Sequence, residues 1–169
     1  MNKIITISRE FGSGGREIGK RLADELNLSY YDKEIIMQIA KETGMSEEHI
    51  NNISERRIYT YPLNFSRSFS VYPTIQNNQT QVLVAQQKII KQIAEKGNCV
   101  IVGRGANAIL KDYNTVDIFV YANIESKINR CKNKRKDEDI TDKELEKKIK
   151  QIDKNRKDYH KVISNIEWG

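Results

Sequence analysis

Apolar positions change rhythm along the chain, and each change marks an element. Residues 4–8, IITIS, form a short β-rich run that leads into a glycine loop from Gly12 to Gly15. From about Arg16 to Leu26 the spacing becomes helical, with Ile18, Leu22 and Leu26 four apart on one face. LSYYD, residues 28–32, reads as a second strand, and Asp32 stands where it caps a helix carrying Ile35, Ile36, Ile39 and Ala40 that stops near Gly44. Ser46, Glu48 and Ile50 mark another short helix. Residues 56–80 hold both prolines and many Ser, Asn and Gln residues with no sustained period, so they read as a flap or long loop.

A helix is expected again from about Gln81 to Gly97, with Val82, Ala85, Ile89 and Ile93 on one side. CVIVG (99–103) and VDIFVY (116–121) are apolar without alternation, as strands buried on both faces are. Strands separated by helical signals predict a parallel sheet with right-handed crossovers. In the last helix Leu145, Ile149, Ile152, Arg156, Tyr159 and Ile163 trace one stripe, which puts an arginine where an apolar side chain belongs. Asp153, three residues earlier, is close enough to pair with it. Arg156 is then either an arginine snorkelling at the stripe's edge or a guanidinium aimed into a cleft at phosphate.

The chain has 169 residues, which suits one domain with a real core. Hydrophobic content of 38% against 31% charged residues excludes a disordered chain. No apolar stretch approaches the roughly 20 residues that span a bilayer, and the apolar run at the N-terminus is too short for a signal peptide. Cys99 and Cys131 lie far apart without metal spacing, so we expect free thiols and a cytoplasmic protein. The formal charge is +6, which suits polyanionic partners. The surplus gathers at Lys127, Arg130, Lys132, Lys134, Arg135 and Lys136, but Asp137, Glu138 and Asp139 follow at once. That counterweight favours a solvated helix and loop over a nucleic-acid arm.

Gly12, Gly14 and Gly15 around Ser13 let backbone N–H groups converge between a strand and a helix N-terminus, a setting that attracts anions. The G-x-x-x-x-G-K-[ST] pattern is nevertheless incomplete. With Gly14 as its second glycine, Arg9 stands at the first, Gly15 at the lysine and Arg16 at the hydroxyl position. A plain glycine turn is the competing reading. Against it stand Arg9, Arg16 and Lys20, cations that flank the loop and can supply the missing charge.

ITISREFGSGGREIGKRLADEL, YYDKEII, VIVGRGANAIL and IDKNRKDYH with WG close behind, in this order and spacing, resemble the cytidylate kinase-like family of P-loop proteins. The resemblance spans nearly the whole chain. It implies a three-layer αβα fold with a doubly wound parallel sheet of the nucleoside monophosphate kinase type, in one domain over residues 1–169. A monophosphate-side flap would lie at about 33–80 and a lid at about 132–141. It also implies a final strand and helix after Gly169, so that the sheet here is one strand short.

By the same resemblance Arg9, Gly12, Ser13, Gly14, Gly15, Arg16, Glu17 and Lys20 would hold ATP phosphates. Asp32, Arg104, Asp153 and Arg156 would hold the monophosphate, and Arg16, Arg130 and Arg156 would act in transfer. True cytidylate kinases carry an aspartate on each side of the third-strand Gly-Arg; here those places are Val102 and Gly105. With the P-loop lysine and hydroxyl absent as well, the usual Mg²⁺ ligands are missing, and Glu10, Glu17 or Ser13 are the candidates to take over metal or water contacts. No metal ligand is assigned on sequence. His49 and His160 read as exposed helix residues.

The leading function is an ATP-dependent kinase of CMP or a related small phosphorylated acceptor. The alternative is a non-catalytic nucleotide- or phosphate-binding regulatory module that has lost its metal site. Nucleic-acid binding through residues 127–136 is the weakest of the three. No membrane partner is expected, and the oligomeric state is left open.

Overall fold

In the computed structural model, the backbone is described for residues 3–55, 72–134, 140–164 and 168–169. Strands β1 (Ile4–Arg9), β2 (Ser29–Tyr31), β3 (Cys99–Val102) and β4 (Val116–Val120) form one sheet in the order β2-β3-β1-β4. Every neighbouring pair is parallel, with Ile5 opposite Val100 on one side and Val116 on the other.

The pleat sorts the core into layers, because successive side chains of a strand face opposite ways. Ile4, Cys99 and Ile101 pack on one face with α2 (Lys33–Thr43), α4 (Tyr72–Lys96) and the short α5 (Ala106–Ile109). Ile5, Ile7, Val100 and Val102 pack on the other with Ala23 and Leu22 of α1 (Gly15–Glu25). This is the expected αβα arrangement. Gly19 lets α1 approach closely, since a Cβ there would lie 2.9 Å from Val102 Cγ2 and 3.0 Å from Ile7 Cδ1.

Helix α3 (Glu47–Glu55) follows α2, and α6 (Ile124–Lys134) packs on α7 (Asp142–Ile163) through a third cluster of Cys131, Leu145 and Ile149, which also takes in Phe11. The start of α7 is a capping box. Thr141 Oγ1 accepts from the Glu144 amide, and Glu144 Oε2 accepts from the Thr141 amide.

Three sequence expectations change. The helix expected from about Gln81 begins nine residues earlier, at Tyr72. Pro73 is tolerated there because a first helical turn needs no N–H from it, and the polar stretch that follows has no apolar period to reveal a helix. The 33–80 segment is thus largely helical where described, and its residues 56–71, like residues 135–139 of the expected lid, lie outside the described residues. Asp32 occupies the N-cap position of α2, but its side chain makes no cap bond. Among the described residues, no helix is long and apolar enough to cross a membrane.

Candidate active site

The loop between β1 and α1 takes its shape from Gly12 and Gly14, both left-handed with φ of 76° and 91°. Ser13 does not face outward: its side chain is buried, and both its amide and its Oγ bond back to the Glu10 carbonyl. Ile18 donates the first helical bond to Gly14. Among the described residues, the amides of Gly12, Gly14, Gly15, Arg16 and Glu17 meet no acceptor. They form an anion-seeking cup at a helix N-terminus. Arg130, from α6, lies over it, with Nη1 3.0 Å from where a Gly14 Cβ would be. Glu17 pairs with Arg21 at 2.7 Å, and Lys20 is exposed one turn further along α1.

A second feature opens beside the cup at the C-terminal ends of β1 and β3. It is a cleft of about 450 Å³ lined by Arg9, Gly103, Arg104, Arg156, His160 and Trp168, among others. Arg9 leaves the end of β1 with its side chain 14% exposed, and its guanidinium lies against Gly103. Burial, then the charges of Arg156, Arg16 and Arg104, pull its pKa down to about 9 against the opposing effect of Asp32. It therefore stays cationic at neutral pH. Asp32 is the acid facing this group: it pairs with Arg16 Nε at 2.5 Å and Arg9 Nη2 at 3.8 Å. Having abandoned its capping role, it is the counter-ion of the cluster.

Arg104 sits in the turn Gly103–Gly105, and all three residues have positive φ. A left-handed arginine costs about 1–2 kcal/mol. The turn is held by Gln86, buried on α4, whose Nε2 donates to the Arg104 carbonyl at 2.9 Å while its Oε1 accepts from Tyr159. Arg104 also donates to Asn51 at 2.8 Å. Arg156 reaches the cleft from α7, donates to the Arg9 carbonyl at 3.3 Å and lies 5.6 Å over the Phe11 ring.

Asp153 does not pair with Arg156. Its carboxylate accepts from the Phe11 amide at 2.6 Å and from Lys127 Nζ at 3.0 Å. His160 is not on the surface either: it is 3% exposed and meets Asn107, which also accepts from Ser8. His49 is exposed.

The carboxylates near the loop are all engaged. Glu10 and Asp153 hold Lys127, Asp32 holds two arginines, and Glu17 holds Arg21. Among the described residues, no group of three or more His, Cys, Asp or Glu side chains can hold a metal ion. The carboxylates nearest the loop are thus committed to cations of the chain itself.

The loop's lysine position and the two places beside the third-strand Gly-Arg are filled. A Cβ at Gly15 would stand 2.6 Å from Arg9 Cβ, and one at Gly105 would overlap Ile163 Cδ1. Val102 is fully buried against α1.

Residues 4–169 match the model of the cytidylate kinase-like family. The chain belongs to that family. No curated protein matches the sequence. Among solved structures, an uncharacterized protein from Eubacterium ventriosum is 28% identical with a TM-score of 0.70, covering 99% of this chain and 81% of its own. Shikimate kinase from Bacteroides thetaiotaomicron (15% identity, TM-score 0.56, covering 98% and 85%) shares the fold. So does shikimate kinase from Acinetobacter baumannii, solved with shikimate (14%, 0.51, covering 100% and 84%).

The sequence singles out Arg9, Arg104 and Arg156, which the structure brings to one cleft, and Arg16, which reaches the cluster through its pair with Asp32. It passes over Gln86, which holds the Arg104 carbonyl, Asn51, which accepts from the Arg104 guanidinium, and Asn107, which meets the Ser8 and His160 side chains. Gln86 had a signal: it lies on the Val82–Ile89–Ile93 stripe of α4, a polar residue at an apolar position, as Arg156 is on α7.

Proposed function

We propose that this protein is a phosphotransferase that moves a phosphoryl group from ATP to a small anionic acceptor, most simply CMP. The observation that carries the reading is the juxtaposition of the open amide cup at Gly12–Glu17 with the arginine cluster at the adjoining strand ends. The cup seats the ATP phosphates, with Arg16, Lys20 and Arg130 around it. Arg9, Arg104 and Arg156 bind and orient the acceptor's phosphate, for which planar guanidinium forks are suited. Phosphoryl transfer needs positioning and charge neutralisation more than covalent chemistry from the protein, and a phosphate acceptor is already nucleophilic without a base.

The engaged carboxylates support a second reading, a nucleotide-binding module without turnover. Calorimetric titration with ATP, ADP, CMP and AMP, with and without Mg²⁺, followed by measurement of ADP formation with each monophosphate, separates the two. ADP formation dependent on CMP is the expected result. ATP binding without transfer to any monophosphate selects the module, and absence of nucleotide binding refutes both.

A further inference from the structure

Behind the glycine loop lies an ion triad that no part of the proposed transfer uses. Lys127 of α6 has a side chain only 8% exposed, and its Nζ stands 2.6 Å from Glu10 Oε2 and 3.0 Å from Asp153 Oδ2. Each carboxylate also grips backbone. Asp153 Oδ1 accepts from the Phe11 amide, and Glu10 Oε2 accepts from the Ala122 amide just past β4. One ammonium thus ties the loop at residues 10 and 11 to α7 on one side and to the end of β4 on the other.

The packing allows the loop little alternative. A Cβ at Gly12 would stand 3.1 Å from Cys131 Sγ and 3.2 Å from both Cβ and the carbonyl oxygen of Lys127. Burial by itself disfavours the charged lysine, but its bonds to Glu10 and Asp153 outweigh that and raise its pKa, so it is cationic at neutral pH. Without the ammonium, two carboxylates that share one partner would face each other across it, and repulsion would move residues 10 and 11.

We propose that Lys127 is a positioning residue: it fixes residues 10 and 11 so that the cup amides stay open toward phosphate, and sets the loop's phosphate affinity without touching the ligand. This rests on the reading of the loop as a phosphate site. It also gives Asp153, expected at the monophosphate, a bond that anchors the loop through the Phe11 amide. A merely structural lysine would weaken every ligand alike, whereas a loop-positioning one weakens ligands of the cup selectively.

The test is calorimetric titration of the full chain and its Lys127→Met variant with ATP and, separately, with CMP. ATP affinity should fall roughly 10- to 100-fold, the scale on which displaced positioning groups act, while CMP affinity should fall by a clearly smaller factor, because of its contacts only Arg9 and Arg156, which meet the loop at the Arg9 carbonyl and the Phe11 ring, are disturbed and Arg104 is not. Lys150→Met, at an exposed pair with Glu146, should change neither. If Lys127→Met does not fold, Glu10→Gln, which keeps an acceptor for Ala122 and removes one charge, carries the same contrast. Equal loss for ATP and CMP, or no loss for either, overturns the proposal while the phosphate reading stands. A wild type that binds no ATP overturns both.

Discussion

Gly103→Ala tests whether Arg9 is held in place to meet the acceptor. Gly103 has a φ of 80° and donates its amide to the Ile7 carbonyl at 2.9 Å, so its backbone is fixed by the central strand. An alanine there carries about 1–2 kcal/mol of left-handed strain. Its Cβ would overlap Arg9 Nη1 and lie 2.6 Å from Arg9 Cζ. The backbone cannot retreat without breaking the β1–β3 pairing, so the guanidinium moves. If Arg9 donates a charged hydrogen bond to the acceptor, losing it costs about 1.5–3 kcal/mol, or roughly 10- to 150-fold in acceptor affinity.

Denaturant melts give the strain, and acceptor titration gives the second quantity, each measured in Gly103→Ala, Arg9→Ala and the double variant. In the Arg9→Ala background the glycine substitution should keep its stability cost and add no further loss of acceptor binding. Independent, additive losses of affinity would refute the account, because the substitution would then act on the acceptor by some path other than Arg9.

The remaining predictions concern the groups that hold the cluster. Asp32→Asn removes the counter-ion of Arg9 and Arg16 and should cost about 1–3 kcal/mol, less than a fully buried pair because Arg16 is half exposed; denaturation with added sulfate should recover part of the loss, and a deficit indifferent to sulfate counts against an anion-seeking cluster. Gln86→Leu removes one hydrogen bond from the Arg104 carbonyl and one from the Tyr159 hydroxyl and should cost about 0.5–1.5 kcal/mol for each bond lost, whereas Gln86→Leu with Tyr159→Phe should cost less than the sum of the two single variants in the same melts. Thr141→Ala removes a helix cap worth about 1 kcal/mol. The bonds from Thr141 hold Glu144 below its usual pKa, so folding gains from them above the ordinary value near 4.5 and loses that gain as pH falls through the lowered one; the variant's stability should fall less steeply on acidification.

Most of the fold was legible because the buried strands are short apolar runs and the helices between them keep a helical period. What escaped did so for local reasons. The first turns of α4 are polar, so no amphipathic stripe announces them, and Pro73 reads as a breaker although a first turn accommodates it. Within the site, charge at an apolar position was a usable signal at Arg156, yet the same count on α4 would have found Gln86. In α6 Lys127 sits among Ile124, Ile128 and Cys131, but within a basic run it reads as one more solvated lysine. Asp32 was visible as a cap and invisible as a counter-ion, because its partners come from β1 and α1, which only the tertiary fold brings near. Asp153 was assigned to Arg156 by spacing along one helix, and the glycine loop's amide and the α6 lysine won the competition for it.

The departures from the P-loop pattern then take on a single physical meaning. The lysine position is a glycine because Arg9, which stands where the pattern has its first glycine, occupies the space beside it. Large and small residues have exchanged places across the loop, so the cation arises from the strand's end and lies against the β3 turn. The two aspartate positions are likewise occupied, one by the α1-facing core and one by Ile163 of α7. Here each is filled by a neighbour, and the arginines outnumber the acid that faces them. The net positive charge of a half-buried cleft is unfavourable without a ligand, and it is the feature that a phosphorylated acceptor would relieve.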